Sequence, residues 1–391
     1  MANPVLVNRY EIRRQLGQKP GKRTLLAIDL KTQTPVVIKV MALGEAVGRD
    51  DIRLFEREAS TLQMLSHPSI PAYLDHFELT LKSGRGFALV QTYIQGKSLQ
   101  ACMQEQISFS EENVKQIARL LLDILVYLHR QQPPVIHRDI KPSNVLLTLE
   151  ANQIIQQVYL IDFGSVQIFS ERSDSSFTVV GTYGYTAPEQ LAGRAITASD
   201  LYSLGATLIA LLTGTHPSSL PQQGMRIDFE RNVQVSPELA QWLKLMTNPR
   251  IDQRFATAYD ALRALDNPSV PRSSFLAPQK PADCKIRVNK DPNSLEVVIP
   301  SLSSKTRLVI DQQQISMGSA VLGLTFKQVQ VANRRMISRL ECIKKPDGRY
   351  RIVIWAGAQS FELGTDQGMS EPEKDWLAYE LSNWLGIPVV T

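Results

Sequence analysis

Val135-Ile136-His137-Arg138-Asp139-Ile140-Lys141-Pro142-Ser143-Asn144-Val145-Leu146-Leu147 sets a polar loop between two apolar runs, with Asp139 and Asn144 five positions apart. Alone, the His137-Arg138-Asp139 tripeptide also reads as a turn with solvated charges. Segments further along the chain decide between the two readings. Ile161-Asp162-Phe163-Gly164 follows the short apolar run Val158-Tyr159-Leu160, and Ala187-Pro188-Glu189 closes the stretch after it.

In this order the three segments resemble the catalytic loop, the Asp-Phe-Gly motif and the Ala-Pro-Glu motif of the eukaryotic-type protein kinases. The resemblance implies a bilobal kinase fold and transfer of a phosphoryl group from ATP with magnesium. It assigns Asp139 to accept the proton of the attacking hydroxyl, Lys141 to steady the γ-phosphate, and Asn144 and Asp162 to hold magnesium. A lysine two residues after the aspartate favours Ser and Thr over Tyr as acceptors.

At 391 residues the chain suits two or three domains of about 100–200 residues each. A composition 43% hydrophobic and 21% charged is that of a globular protein. The net charge of +5 permits acidic partners without requiring them, because the basic residues are dispersed, and no nucleic-acid partner is expected. Cys102, Cys284 and Cys342 are odd in number and lack a Cys-x-x-Cys pair, which points away from a disulfide framework or zinc site and fits a reducing cytoplasm. Residues 1–9 lack a signal peptide's apolar core. The longest membrane candidate, 315–326, is too short and carries Ser and Gly, so a soluble, cytoplasmic protein without a transmembrane segment is expected.

From Tyr10 the pattern is strand, turn, strand. Leu16-Gly17-Gln18-Lys19-Pro20-Gly21-Lys22-Arg23-Thr24 lies where kinases carry G-x-G-x-x-G, yet Lys19 and Lys22 occupy the second and third glycine positions. The expectation is a loop that rides higher over the nucleotide and uses Lys19, Lys22 or Arg23 as point charges; solvated cations are the plainer alternative. Pro35-Val36-Val37-Ile38-Lys39-Val40 is a buried-strand pattern broken by one lysine, a costly place for an unpaired charge. The resemblance pairs Lys39 with Glu58 on the next helix, Glu56 being the alternative, and has Lys39 hold the α- and β-phosphates. It adds Leu16, Gly17 and Ala27 to the nucleotide site, with Gln91 as gatekeeper and Thr92 and Ile94 gripping adenine through their backbones. His67, before Pro68, reads as structural.

Ser110-Glu111-Glu112 starts a helix with a cap and an acidic first turn, and Val114, Ile117, Ala118, Leu121, Leu122, Leu125 and Leu128 make its apolar stripe. Ser173, Ser175, Ser176 and Thr178 are candidates for regulatory phosphorylation, autophosphorylation included, and Arg138 is placed to pair with such a phosphate. The resemblance implies that Thr182 contacts Asp139, that Glu189 and Arg254 form a buried ion pair, and that Asp200 braces the catalytic loop.

Pro268, Pro271, Pro278 and Pro281 mark a connector, after which the apolar period changes from helical to alternating. Seven strands are expected, at 285–288, 295–299, 307–310, 324–329, 337–343, 350–355 and 361–363. A helix capped by Ser370-Glu371-Pro372-Glu373, with Trp376, Leu377, Leu381, Trp384 and Leu385 on one face, closes the region. This α+β plan gives an extension (1–9), a kinase domain (10–265), a linker (266–283) and a β-rich domain (284–391) resembling a pleckstrin-homology-like barrel. Arg334, Arg335, Arg339, Lys344 and Lys345 read as a solvated basic edge.

The whole resembles a group of cyanobacterial eukaryotic-type Ser/Thr kinases, through Leu16-Gly17-Gln18-Lys19-Pro20-Gly21, His67-Pro68-Ser69-Ile70-Pro71, Asp162-Phe163-Gly164-Ser165-Val166-Gln167 and Val180-Gly181-Thr182-Tyr183-Gly184-Tyr185. The expected function is ATP-dependent phosphorylation of Ser and Thr on proteins. The alternative is a pseudokinase or nucleotide-sensing scaffold acting through its C-terminal domain, favoured only by the altered glycine loop. A small-molecule phosphotransferase is third.

Overall fold

The computed structural model describes residues 4–44, 47–81, 84–149, 155–168, 181–267, 278, 280–291, 293–300, 304–321, 327–344, 350–364, 369–385, 387 and 389–390. Two compact units emerge, residues 1–128 with 136–271 and residues 129–135 with 272–391.

The first unit opens with β1 (Val5–Leu6), β2 (Tyr10–Lys19), β3 (Lys22–Asp29), β4 (Thr34–Ala42), α1 (Arg49–Met64), β5 (Tyr73–Leu81) and β6 (Gly84–Thr92). The strands form one antiparallel sheet in the order β1-β2-β3-β4-β6-β5. Side chains alternate between faces along a strand, so Val36, Ile38 and Val40 of β4 reach one core with Tyr10, Ala27, Leu79, Ala88 and Val90. The turn between β2 and β3 is only Pro20-Gly21, because Lys19 pairs with Lys22 across it. Gly21 takes φ +68, a conformation a residue without Cβ adopts readily.

A helical lobe follows, built from α2 (Leu99–Gln104), α3 (Glu111–His129), α4 (Pro188–Leu191), α5 (Thr197–Thr213), α6 (Pro237–Met246) and α7 (Ala258–Asp266). The apolar stripe of α3 is buried as its period requires, and Ser110 Oγ accepts the Asn113 amide at 3.2 Å. Residues 198–211 of α5 are all buried, which makes it the central helix of the lobe. β7 (Lys97–Ser98) comes just before α2, β8 (Val135–Ile136), β9 (Val145–Leu149), β10 (Ile155–Leu160) and β11 (Gln167–Ile168) run between α3 and α4, and a small hairpin, β12 (Gln222–Gln223) with β13 (Arg226–Ile227), follows α5. β7, β9 and β10 form one sheet that presents the loop after β8, and β8 pairs with β11. Ser173, Ser175, Ser176 and Thr178 lie outside the described residues.

In the second unit, β14 (Arg287–Lys290), β15 (Leu295–Pro300), β16 (Ser304–Ile310), β17 (Gln314–Val321) and β18 (Lys327–Asn333) form a meander. A second sheet holds β19 (Ile337–Lys344), β20 (Tyr350–Ala356), β21 (Gln359–Leu363) and, after α8 (Glu371–Leu385), β22 (Val389–Val390), in the order β21-β20-β19-β22. Leu295, Leu308, Ile315, Leu340, Ile354, Phe361, Trp376 and Leu381 share one core, so both sheets and α8 pack together. Ser370 and Glu373 bond reciprocally, the Ser370 amide donating to Glu373 Oε2 at 3.1 Å and the Glu373 amide to Ser370 Oγ at 3.4 Å, the capping box read from the sequence.

Three details differ from the strand expectations. β17 was not anticipated: its sequence, Gln-Ile-Ser-Met-Gly-Ser-Ala-Val, carries Gly318 at a register shift, which breaks the alternation. β18 lies later than 324–329, and residues 322–326 are outside the described residues. β22 adds an edge strand parallel to β19. Along the basic edge Arg335, Arg339 and Lys344 are exposed, as expected, and Arg334 is half-buried. Arg334 covers the Trp384 ring at 4.6 Å, Arg339 pairs with Glu341 at 2.9 Å, and Lys344 lies 5.4 Å from the centre of the Tyr350 ring. Lys345 lies outside the described residues.

Candidate active site

The loop after β8 is held from below. Asp200, buried on α5, accepts the His137 amide on Oδ2 and the Arg138 amide on Oδ1, both at 2.9 Å. Those two bonds hold Arg138 at φ +65, a conformation that costs energy for a residue with a Cβ. The chain therefore reverses just before Asp139. A single 3₁₀ turn over Pro142–Asn144 then brings Asn144 back, and its Nδ2 donates to the Asp139 carbonyl at 2.8 Å and to Asp139 Oδ2 at 3.1 Å.

Asp139 is bonded by three side chains. Lys141 Nζ donates to Asp139 Oδ2 at 2.7 Å and to Thr182 Oγ1 at 2.7 Å, while Thr182 Oγ1 donates to Asp139 Oδ1 at 2.8 Å. With Asn144 these contacts fix the orientation of the carboxylate, so a hydroxyl proton would meet an oxygen already aimed. Gln190, not singled out from the sequence, donates to the Arg138 carbonyl at 2.7 Å; a glutamine after Ala-Pro-Glu carries no signal of that contact.

The second cluster gathers around Lys39. Its Nζ bonds Glu58 Oε1 at 2.5 Å and Asp162 Oδ1 at 2.7 Å, joining β4, α1 and the Asp162-Phe163-Gly164 turn. Glu58 is 4% exposed and Glu56 faces solvent, which settles the choice between them. Burial pulls the Lys39 ammonium down, but the charges of Asp162 and Glu58 outweigh it and hold the pKa above the ordinary lysine value. The charge of Lys39 holds Asp162 below the usual carboxylate range, against the opposing effect of burial. Burial, helped by the charge of Asp162, pushes Glu58 up against the pull of Lys39. Gly164 leaves little room for a side chain: a Cβ there would sit 3.3 Å from Glu58 Oε2, which would have to give by a few tenths of an ångström. Phe163 is buried edge-on against His137 at 5.0 Å, so the turn is packed inward.

The residues fit a magnesium site. The Asp162 side chain stays 37% exposed despite its bond to Lys39. Anchoring the Asn144 amide nitrogen on Asp139 selects its carbonyl oxygen as the atom left for a metal. Among the described residues no three His, Cys, Asp or Glu side chains are grouped to hold a metal ion.

The nucleotide residues from the sequence lie on β2, β3 and β6 and just after β6. Ala27 and Gln91 are buried, Leu16 is exposed, and Gly17 pairs with Thr24. The Thr92 amide is taken by the Ala72 carbonyl at 3.0 Å. The Ile94 carbonyl accepts the Gly96 amide at 3.0 Å. The three loop cations separate. Lys19 lies near enough for its charge to act on Asp162. Lys22 does not face the site as expected but bonds Asp51 Oδ1 at 2.7 Å.

The framework residues also meet. Glu189 and Arg254 pair at 2.7 Å. Arg138, expected to await a phosphate, donates to the Ser165 carbonyl at 2.5 Å and to Gln167 Oε1 at 3.3 Å. His67 is structural: burial lowers its pKa, Nδ1 accepts the Ser69 amide at 3.1 Å, and its ring packs on Tyr127 at 4.8 Å.

Comparison with known proteins agrees with this geometry. The protein kinase domain family matches residues 10–265. Serine/threonine-protein kinase B of Synechocystis sp. is 35% identical over 281 residues, 68% of this chain and 47% of that protein. Serine/threonine-protein kinase PknA of Nostoc sp. is 36% identical over 279 residues, 67% of this chain and 47% of the relative. Serine/threonine-protein kinase PknB of Mycolicibacterium smegmatis is 31% identical over 269 residues, 65% of this chain and 42% of the relative. The chain thus spans about half the length of the curated relatives it matches. With the family matching most of the chain, and with its motifs assembled around Asp139 and Lys39, this chain belongs to the protein kinase domain family.

Proposed function

We propose that the chain is a protein serine/threonine kinase that transfers the γ-phosphoryl group of ATP to Ser and Thr hydroxyls of proteins. The observation that carries this reading is the arrangement around Asp139, whose carboxylate is bonded by Lys141, Thr182 and Asn144 at 2.7, 2.8 and 3.1 Å. Asp139 accepts the proton of the acceptor hydroxyl as its oxygen bonds to phosphorus, and the bond to the β-phosphate oxygen breaks. Lys141 steadies the transferring group from the same side. Lys39, held by Glu58 and Asp162, reaches the α- and β-phosphates. Asn144 and Asp162 are the residues that would hold magnesium, which when bound neutralises the negative charge of the phosphates.

The scaffold alternative drew only on the altered glycine loop, and that loop is a paired hairpin, with a register shift between Gln15 and Gly17, whose Lys19 charge acts on Asp162. Residues 10–265 serve as the catalytic domain in this reading, 266–283 as a linker, and 284–391 as a recruiting or regulatory domain. Protein substrates and autophosphorylation follow from the proposed activity, with nucleic acid not among the partners. Among the described residues no helix is long and apolar enough to cross a membrane, and a cytoplasmic location is proposed. Radiolabelled ATP with a generic protein acceptor tests the activity. Labelled phosphoserine or phosphothreonine made by the wild type and not by Asp162→Ala is the expected result, and equal labelling by both overturns it.

A further inference from the structure

We propose that Lys22 and Asp51 are positioning residues that clamp the β2–β3 hairpin onto helix α1, so that the hairpin over the phosphates and the helix carrying Glu58 move as one body. The inference rests on the kinase reading above, for which the hairpin is the nucleotide cover.

Three contacts converge on the hairpin tip. Lys22 Nζ donates to Asp51 Oδ1 at 2.7 Å, and both side chains are partly covered, at 36% and 38% exposure. The Gly21 carbonyl accepts the Ala42 amide at 2.8 Å. A Cβ on Gly21 would lie 2.3 Å from Val47 Cγ2, so the tip packs directly against the connection between β4 and α1. Asp51 is itself fixed at the start of α1, where Oδ2 accepts the Gly48 amide at 3.0 Å. The bond from Lys22 holds the Asp51 carboxyl below its ordinary pKa, as expected for a carboxylate kept ionised by its partner.

These contacts close a ring. Lys22 reaches Asp51; α1 runs two turns from Asp51 to Glu58, at 3.6 residues per turn; Glu58 bonds Lys39; and Lys39 in β4 pairs with Thr24, two residues after Lys22 in β3. Each link is a side-chain ion pair or a regular element, so displacing the hairpin strains the helix and displacing the helix strains the hairpin. Two lysines at glycine positions thereby take separate tasks. Lys19 remains near Asp162, where a phosphate would be drawn, while Lys22 is spent on the fastening. Binding energy gained at the hairpin is transmitted to the Lys39–Glu58 pair.

The test measures ATP and adenosine binding to the full chain for the wild type, Lys22→Met, Asp51→Asn, the double variant, Lys22→Arg and the reciprocal exchange Lys22→Asp with Asp51→Lys. Each single neutralising change is expected to weaken ATP about two- to five-fold, the range of a partly exposed ion pair. The double variant should weaken ATP no more than either single one, while Lys22→Arg and the reciprocal exchange should restore it. Asp51→Asn is the decisive variant. If Lys22 were a phosphate ligand, releasing it from Asp51 would leave ATP affinity unchanged or improved, and that result overturns the clamp. Wild-type affinity in all variants also overturns it. Absence of ATP binding by the wild type would sink the kinase reading and the clamp with it, an outcome distinct from loss of the clamp alone.

Discussion

Arg254 has no exposed surface and grips Glu189 through two parallel contacts, Nη1 to Oε1 at 2.7 Å and Nη2 to Oε2 at 3.2 Å. The same guanidinium donates to the carbonyls of Asn248 and Ala198, and Glu189 accepts Ser199 Oγ at 2.7 Å. Glu189→Ala therefore strands a buried charge and should cost about 3–5 kcal/mol, read as a lowered thermal unfolding midpoint. Adding Arg254→Met should recover only part, because the Asn248 and Ala198 carbonyls then lose their donor.

Lys19→Ala should weaken ATP by up to about 1 kcal/mol and leave adenosine unchanged, because an exposed cation acts on phosphate and not on the base. Comparing the two ligands by titration checks this. Equal weakening of both, or none, returns Lys19 to an ordinary solvated charge.

Acid should act on the small lobe through Asp29. The Arg9 guanidinium bonds it at 2.8 and 3.0 Å and, against the opposing effect of burial, brings the carboxyl from 3.8 to about 2. A folded pKa below the unfolded one contributes stability that is complete above about pH 4 and is lost as pH falls through 2. With screening around the partly exposed arginine this amounts to about 1 kcal/mol. Asp29→Asn should lower stability at pH 7 and flatten its decline between pH 4 and 2, as acid-unfolding curves would show. An unchanged acid limb would contradict the assignment.

Ending the chain after Leu265 tests the role proposed for the C-terminal domain. Phosphotransfer to a generic acceptor should persist while substrate choice in a cell lysate, or basal rate, changes. Soluble, folded truncated protein without activity would make the domain part of the catalytic unit.

Much of the site was readable because its parts are local or strongly patterned. Asp139, Lys141 and Asn144 lie on one short loop, and Lys39 stands out as a charge inside an apolar strand, so burial itself demanded a partner. The Glu58 choice came from the resemblance, and its burial against the exposure of Glu56 agrees with it. Less was readable where a contact joins distant, ordinary residues. Nothing in the sequence marks Lys22 for Asp51 rather than phosphate, or Gln190 for the Arg138 carbonyl. Strand β17 was hidden because Gly318 and its bulge interrupt the alternation that identifies a strand. The bonds of Arg138 to Ser165 and Gln167 depend on a chain reversal the sequence does not display.

The most direct test of the account is phosphotransfer and ATP affinity measured together for the wild type and Asp139→Asn. Asn is close in shape and can keep the Thr182 contact, but it is a poor proton acceptor. Transfer to Ser and Thr should fall by roughly 10²–10⁴ while ATP affinity stays within about two-fold. Transfer at the wild-type rate by Asp139→Asn, or no transfer by the wild type itself, would contradict the central claim.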